Sequence, residues 1–191
     1  MPNTLISGSS TRALEVAAAL QDGDWPAPLC VDTVTALGAA CDAMPPRSLD
    51  CYIQLPAEQG PQTTALTEAS AMVADGAMAR YAAAATVVPL LRDAATVVLV
   101  MGDGADRTLP GDLARAVNDL TRVLARALRN DHRATDLRVT LVAEQESPSE
   151  IASIARSPRD RPPTMDWYVD FEPELGSADW HCQVLSLLEK T

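Results

Sequence analysis

Thr4 to Leu20, TLISGSSTRALEVAAAL, runs from an apolar strand through a turn of small residues into a helix, and this alternation recurs along the chain. NTLIS predicts the first strand and SSTRALEVAAALQ the first helix, with Ser9, Ser10 or Thr11 as its cap and Glu15 in its early turns. PLCVD predicts a second strand, TVTALGAACDAM a helix stopped by PPRS, LDCYIQL a third strand and PAEQGPQTT a loop. A long Ala-rich helix is expected from Leu66 to Leu91, with Gly76 as its point of interruption. ATVVLVMGDG is a continuous apolar run that ends abruptly at glycine and aspartate, the pattern of a strand buried on both faces. In DLARAVNDLTRVLARALRN, Leu113, Val117, Leu120, Leu124 and Leu128 share one helical face, and LRVTLVAE predicts another buried strand. SPSEIASIARSPRDRPP reads as a short helix and a proline-rich loop, MDWYVDF as a final strand, and WHCQVLSLLEK as a terminal helix or strand. Strands alternating with helices imply right-handed β-α-β units, hence an α/β, doubly wound, mostly parallel sheet in three layers.

The 191 residues suit one domain spanning 1–191 with a single sizeable core. The proline-rich stretch near Pro162 is too short to link independent domains. With aromatics at 4%, that core must be built from Ala, Val and Leu. A formal charge of -11 repels phosphate backbones and anionic lipid surfaces, which argues against nucleic-acid and membrane partners. No stretch approaches the roughly 20 apolar residues of a membrane span, and MPNTLISGSS lacks the basic start and apolar core of a signal peptide. Cys30, Cys41, Cys51 and Cys182 form no C-x-x-C pair; Cys30 and Cys51 fall inside strand-like runs and read as buried small hydrophobes. A reducing, cytoplasmic setting is the expectation.

The order of elements and the local wording resemble the short-chain dehydrogenase/reductase family. AVNDLTRVLARALRNDHRATDLRVTLVAE is similar to that family's helix after the active-site Tyr/Lys pair and the strand following it; SLDCYIQLP resembles its fourth strand, and YAAAATVVPLLRDAATVVLVMGD its fifth helix and strand. The resemblance covers Thr4 to Glu144 and leaves 145–191 as an irregular C-terminal part. It implies a Rossmann-like sheet, and PLCVDTVTALGAACDAM looks more like the family's third strand than its second, a sheet shortened on the adenosine side.

Aligned with the family pattern Thr-Gly-x-x-x-Gly-x-Gly, the first turn reads Ser7-Gly8-x-x-x-Arg12-x-Leu14. The second glycine of such a turn admits the pyrophosphate and the third admits close helix packing. Here a cation and a leucine stand there; Leu14 is expected in the core. Gly8, Arg12 and Asp32 are the remaining cofactor-binding candidates, Asp32 because it ends the second strand near the spacing of a ribose-binding acid. The family's Asn-Asn-Ala-Gly is replaced by Gln54-Leu55-Pro56-Ala57, and its structural asparagine by Val73. Its catalytic serine falls at Gly102 or Asp103, and its Tyr-x-x-x-Lys pair at Pro110 and Ala114. The family's chemistry needs a phenol acidified by a nearby ammonium. Tyr52, Tyr81 and Tyr168 have no lysine four residues on, and Lys190 is the chain's only lysine.

Other chemistry is poorly supplied. Asp32, Glu58, Asp103, Asp106, Glu144 and Glu146 gather at strand ends, but without metal-ligand spacing, so no metal site is assigned. His132 lies in a polar turn, and His181 with Cys182 are neighbours whose side chains diverge, unsuited to a nucleophile-base pair. Gly102–Gly104 carries an aspartate at its centre, which disfavours phosphate. No cofactor is therefore expected, with NADP as the alternative through Arg12. The resemblance further implies that the helices 66–91 and 112–130 pair with a second subunit. The reading that follows is a non-catalytic subunit, a pseudoenzyme, joined in a hetero-oligomer to a catalytically intact relative. The alternatives are an NADP-dependent oxidoreductase with an atypical site and a small-ligand-binding protein using the vacated pocket.

Overall fold

Four apolar runs become parallel strands with a core on both faces, and a shorter, partly exposed fifth strand lines the sheet's edge. The computed structural model describes residues 3–21, 25–57, 64–102, 111–135, 137–142 and 146–156. In order these form β1 (Thr4–Ser7), α1 (Ser10–Gln21), β2 (Leu29–Val31), α2 (Val34–Asp42), β3 (Leu49–Gln54), α3 (Ala65–Ala71), α4 (Ala79–Val87), β4 (Leu91–Val100), α5 (Gly111–Asp131), β5 (Arg138–Val142) and α6 (Pro148–Arg156). The strand order is β2-β1-β3-β4-β5, all parallel. Removing the outermost strand from the doubly wound order 3-2-1-4-5-6 gives this sheet. Among the described residues no strand lies outside β2, as the expected shortening requires, with one correction. β2 pairs directly with β1, Leu5 against Leu29, so it fills the second strand's place and not the third's.

Alternate strand residues feed opposite cores. Leu5, Tyr52, Val97 and Val139 face Leu37 of α2, Ala83 and Val87 of α4, and Leu124 and Leu128 of α5. Ile6, Ile53 and Val98 face Val16 and Leu20 of α1, with Ile151 and Ala152 of α6. This division is what right-handed crossovers dictate: the step from β1 out to β2 puts α1 on one face, and the steps back through β3, β4 and β5 put α2, α4 and α5 on the other.

Local signals explain several helix ends. Thr33 accepts a hydrogen bond from the Ala36 N–H at 3.1 Å and starts α2. Ser147 and Glu150 form a reciprocal capping box at α6, Ser147 Oγ accepting from the Glu150 N–H (3.2 Å) while the Glu150 carboxylate accepts from the Ser147 N–H (2.8 Å). The long Ala-rich segment is not one regular helix. A π-type stretch, Met72–Met78, contains Gly76, and after α4 a 3₁₀ turn, Val88–Leu90, carries Pro89, so Leu91 already belongs to β4. β4 begins earlier than its apolar run because it bulges: from Leu91 to Thr96 it spans the register that β3 covers from Leu49 to Cys51, with Ala94 at φ 58°.

Three burial expectations change. Leu14 is 64% exposed, because α1 buries Ala13, Val16, Ala17 and Leu20 and position 14 falls on the opposite side. Leu120 is 39% exposed, and the buried face of α5 passes through Val117, Thr121, Leu124, Ala125 and Leu128. Cys51 is buried, but Cys30 on the edge strand is only partly so. MDWYVDF, WHCQVLSLLEK, His181, Cys182, Tyr168 and Lys190 lie outside the described residues. Among the described residues no helix is long and apolar enough to cross a membrane.

Candidate functional site

In an open parallel sheet, ligands settle at the carboxyl ends of the strands where the winding direction switches, here between β1 and β3. The β1–α1 turn sits at that point. Gly8 has φ 117°, a region closed to side-chain-bearing residues. A Cβ on Gly8 would lie 2.8 Å from the carbonyl carbon of Leu55 and closer still to its oxygen. The glycine is thus needed for the approach of the chain's own backbone.

Two of the turn's amides, those of Gly8 and Ser9, are also engaged. The Gly8 N–H donates to the Val31 carbonyl (3.1 Å), the Ser9 N–H to that of Pro56 (3.0 Å), and the Leu55 N–H to that of Ser7 (2.8 Å). A phosphate-binding turn presents such amides to its ligand. The cleft remaining here, bordered by Gly8, Asp32, Thr33, Gln54, Leu55 and Arg80, has a volume of about 60 Å³. Pockets for small organic ligands and cofactors usually hold roughly 300–1,000 Å³.

Below the cleft runs a buried polar chain that the sequence pattern did not reveal. Ser7 Oγ and the Tyr52 hydroxyl are 2.7 Å apart. Gln54 Nε2 donates to the Tyr52 hydroxyl (3.1 Å) and to the Arg80 carbonyl (3.0 Å). Arg80, 6% exposed, donates from Nε to Gln54 Oε1 (3.2 Å), from Nη1 to Thr121 Oγ1 (3.2 Å), and from Nη2 to the Gln54 carbonyl (3.3 Å) and the Val100 carbonyl. One guanidinium therefore closes the ends of β3 and β4 and ties α4 to α5. Its planar fork is what allows so many acceptors to be served at once.

Of the cofactor-binding candidates, Gly8 and Asp32 come together at the cleft, with Asp32 on its exposed rim. Arg12 is not among the cleft's lining residues; its Nη2 donates to the Glu146 carbonyl at 2.9 Å, tying α1 to the segment before α6. Gly102 is held on both sides by Asn118, whose Oδ1 accepts from the Gly102 N–H and whose Nδ2 donates to the Gly102 carbonyl, each at 3.1 Å. Ala114 lies within α5; Pro110, Asp103, Asp106, Glu58 and Glu144 lie outside the described residues. Val73 is 44% exposed on the π-type stretch. The backbone of His132 joins α5 to the next turn. Among the described residues, no three His, Cys, Asp or Glu are grouped to hold a metal ion.

Burial holds the Tyr52 phenol neutral. It pushes the pKa up to about 12, and the hydrogen bonds to Ser7 and Gln54 and the charge of Arg80 offset this only in part. Burial, with the charge of Asp50, likewise pushes the Cys51 thiol up to about 12. Both groups keep their protons in the folded chain at pH values where the unfolded chain has released them. Stability is thus unaffected below about pH 8, where the unfolded thiol begins to titrate, and declines as pH rises towards 12, by about 3 kcal/mol for the phenol alone. Denaturant titrations across this range should show the decline, and Tyr52→Phe should flatten it. The variant loses about 1 kcal/mol of hydrogen bonding at neutral pH, so the two curves cross on the alkaline side, the variant ending the more stable; parallel curves would contradict the assignment.

No protein-family profile and no curated protein matches the sequence. Solved structures do share its fold. A Burkholderia multivorans protein assigned to the short-chain alcohol dehydrogenases superposes with a TM-score of 0.65 at 15% identity, over 84% of this chain and 92% of that one. A small-chain dehydrogenase gives 0.63 at 14% identity, over 85% and 94%. A Corynebacterium glutamicum protein assigned to the short-chain dehydrogenases/reductases gives 0.60 at 15% identity, over 85% and 94%. The class these define is a Rossmann-like α/β fold of short-chain dehydrogenase/reductase type.

Proposed function

We propose that the chain is a non-catalytic subunit of short-chain dehydrogenase/reductase type that pairs with a catalytically intact relative. One observation supports this reading: the chain's own backbone closes on the β1–α1 turn, with Leu55 against Gly8 and the Gly8 and Ser9 amides bonded to Val31 and Pro56. Among the described residues, a nicotinamide reaction there would lack room for the dinucleotide and an acidified phenol to move its proton. The subunit's contribution is its surface.

The helices that flank the polar chain supply that surface. Met78, Ala82 and Ala85 are exposed along the π-type stretch and α4, as are Ala116, Leu120, Val123 and Ala127 along α5, at the three- and four-residue spacings of a helix-packing stripe. The Tyr81 hydroxyl donates to the Leu120 carbonyl at 2.7 Å and sets the two helices side by side. Small residues in these stripes favour close approach by two further helices.

Affinity purification of the tagged chain from its native host should recover an intact dehydrogenase relative. Leu120→Glu combined with Val123→Glu, both at exposed positions, should reduce recovery about tenfold or more while leaving the melting temperature within a few degrees of wild type. Recovery of a homodimer alone would refute the proposal, as would a complex insensitive to the double variant.

A further inference from the structure

The opposite pole of the sheet carries a larger cleft, of about 650 Å³, between the chain entering β2 and the loop before β3. Pro26 on one side and Pro45 and Pro46 on the other frame it, and Leu29 and Met44 supply apolar walls. Its volume lies in the usual range for small-molecule sites.

Arg47 and Arg92 also line this cleft and differ in their commitments. Arg92 places Nη1 between both Asp50 carboxylate oxygens (3.0 and 3.1 Å) and donates from Nε to the Arg47 carbonyl (3.2 Å). Arg47 is held at φ 53°, an uncommon conformation for a residue with a side chain, and its N–H donates to the Pro89 carbonyl at 3.2 Å. Backbone strain fixed by neighbours is a recurrent feature of ligand sites. Among the described residues, the Arg47 guanidinium pairs with Asp93 at 3.7 Å, with both side chains about two-thirds exposed (67% and 66%). Such a pair contributes little and yields readily to a better-placed carboxylate.

We propose that this cleft binds a small apolar carboxylate, its hydrocarbon against Leu29, Met44 and the prolines and its anion on Arg47. The site is independent of the pairing helices and of the strand-end cleft. Sodium octanoate is a suitable probe, with 1-octanol as the uncharged control. Amide NMR titration should show saturable octanoate shifts at Leu29, Met44 and Arg47. Arg47→Gln should weaken octanoate about tenfold or more and leave the weaker octanol response unchanged. Ala27→Trp, at an exposed rim position, should block both. The proposal fails if octanoate gives no saturable shifts, if the shifts centre on Gly8 and Asp32, or if Arg47→Gln binds octanoate as wild type does.

Discussion

Gly8→Ala is expected to cost the fold about 3 kcal/mol or more, a large part of a domain's usual margin. Two effects combine. Alanine at φ 117° is strained whatever the space around it, and its methyl would meet the Leu55 carbonyl group inside contact distance. Neither backbone can retreat cheaply, because Ser7 and Leu55 are joined by a 2.8 Å hydrogen bond and β1 and β3 are central strands. Gly38→Ala is the matched control. Gly38 lies within α2 and a methyl there meets no atom within 4 Å, so that variant should gain up to about 1 kcal/mol of helix propensity. Urea unfolding of the two variants beside wild type measures both. A Gly8→Ala protein as stable as its parent would mean that Leu55 does not press on the turn.

Arg80→Met should be comparably damaging, by about 3 kcal/mol or more. Methionine keeps much of the hydrophobic stem but withdraws the donors that serve Gln54 Oε1, Thr121 and the carbonyls ending β3 and β4. Those acceptors stay buried, and a buried acceptor without a donor costs far more than the bond it formerly made. Arg80→Lys should fall between the two, since one ammonium cannot span the same set of acceptors. Urea midpoints rank the three proteins. Near-wild-type stability in Arg80→Met would contradict the role given to the polar chain.

The sequence reveals the sheet far better than the site. Strands such as β3 and β4 announce themselves as apolar runs because parallel strands are buried on both faces. Ser147 and Glu150 show the start of α6 through a capping pattern that needs only neighbouring residues. The place of β2 beside β1 depends on long-range pairing, which no local pattern encodes. Leu14 and Leu120 mislead because the identity of an apolar residue says nothing about which side of its helix the sheet covers. The polar chain did leave a trace: Arg80 stands in register with Ala83, Ala84 and Val87 on the buried face of α4, a charge at a core position. Its partners Gln54 and Thr121 come from β3 and α5, 26 and 41 residues away, so the trace alone cannot identify them. Asn118 is hidden for the same reason: it becomes a clamp only when α5 folds back over the end of β4.

Isothermal titration with NADPH, repeated with NADH, tests most directly whether the strand-end site has been filled from within. With Leu55 closed on Gly8, the Gly8 and Ser9 amides engaged and about 60 Å³ of room remaining, neither dinucleotide should produce saturable heat at millimolar concentration. Micromolar binding of either one, abolished by Asp32→Ala, would show that the turn still opens to a dinucleotide.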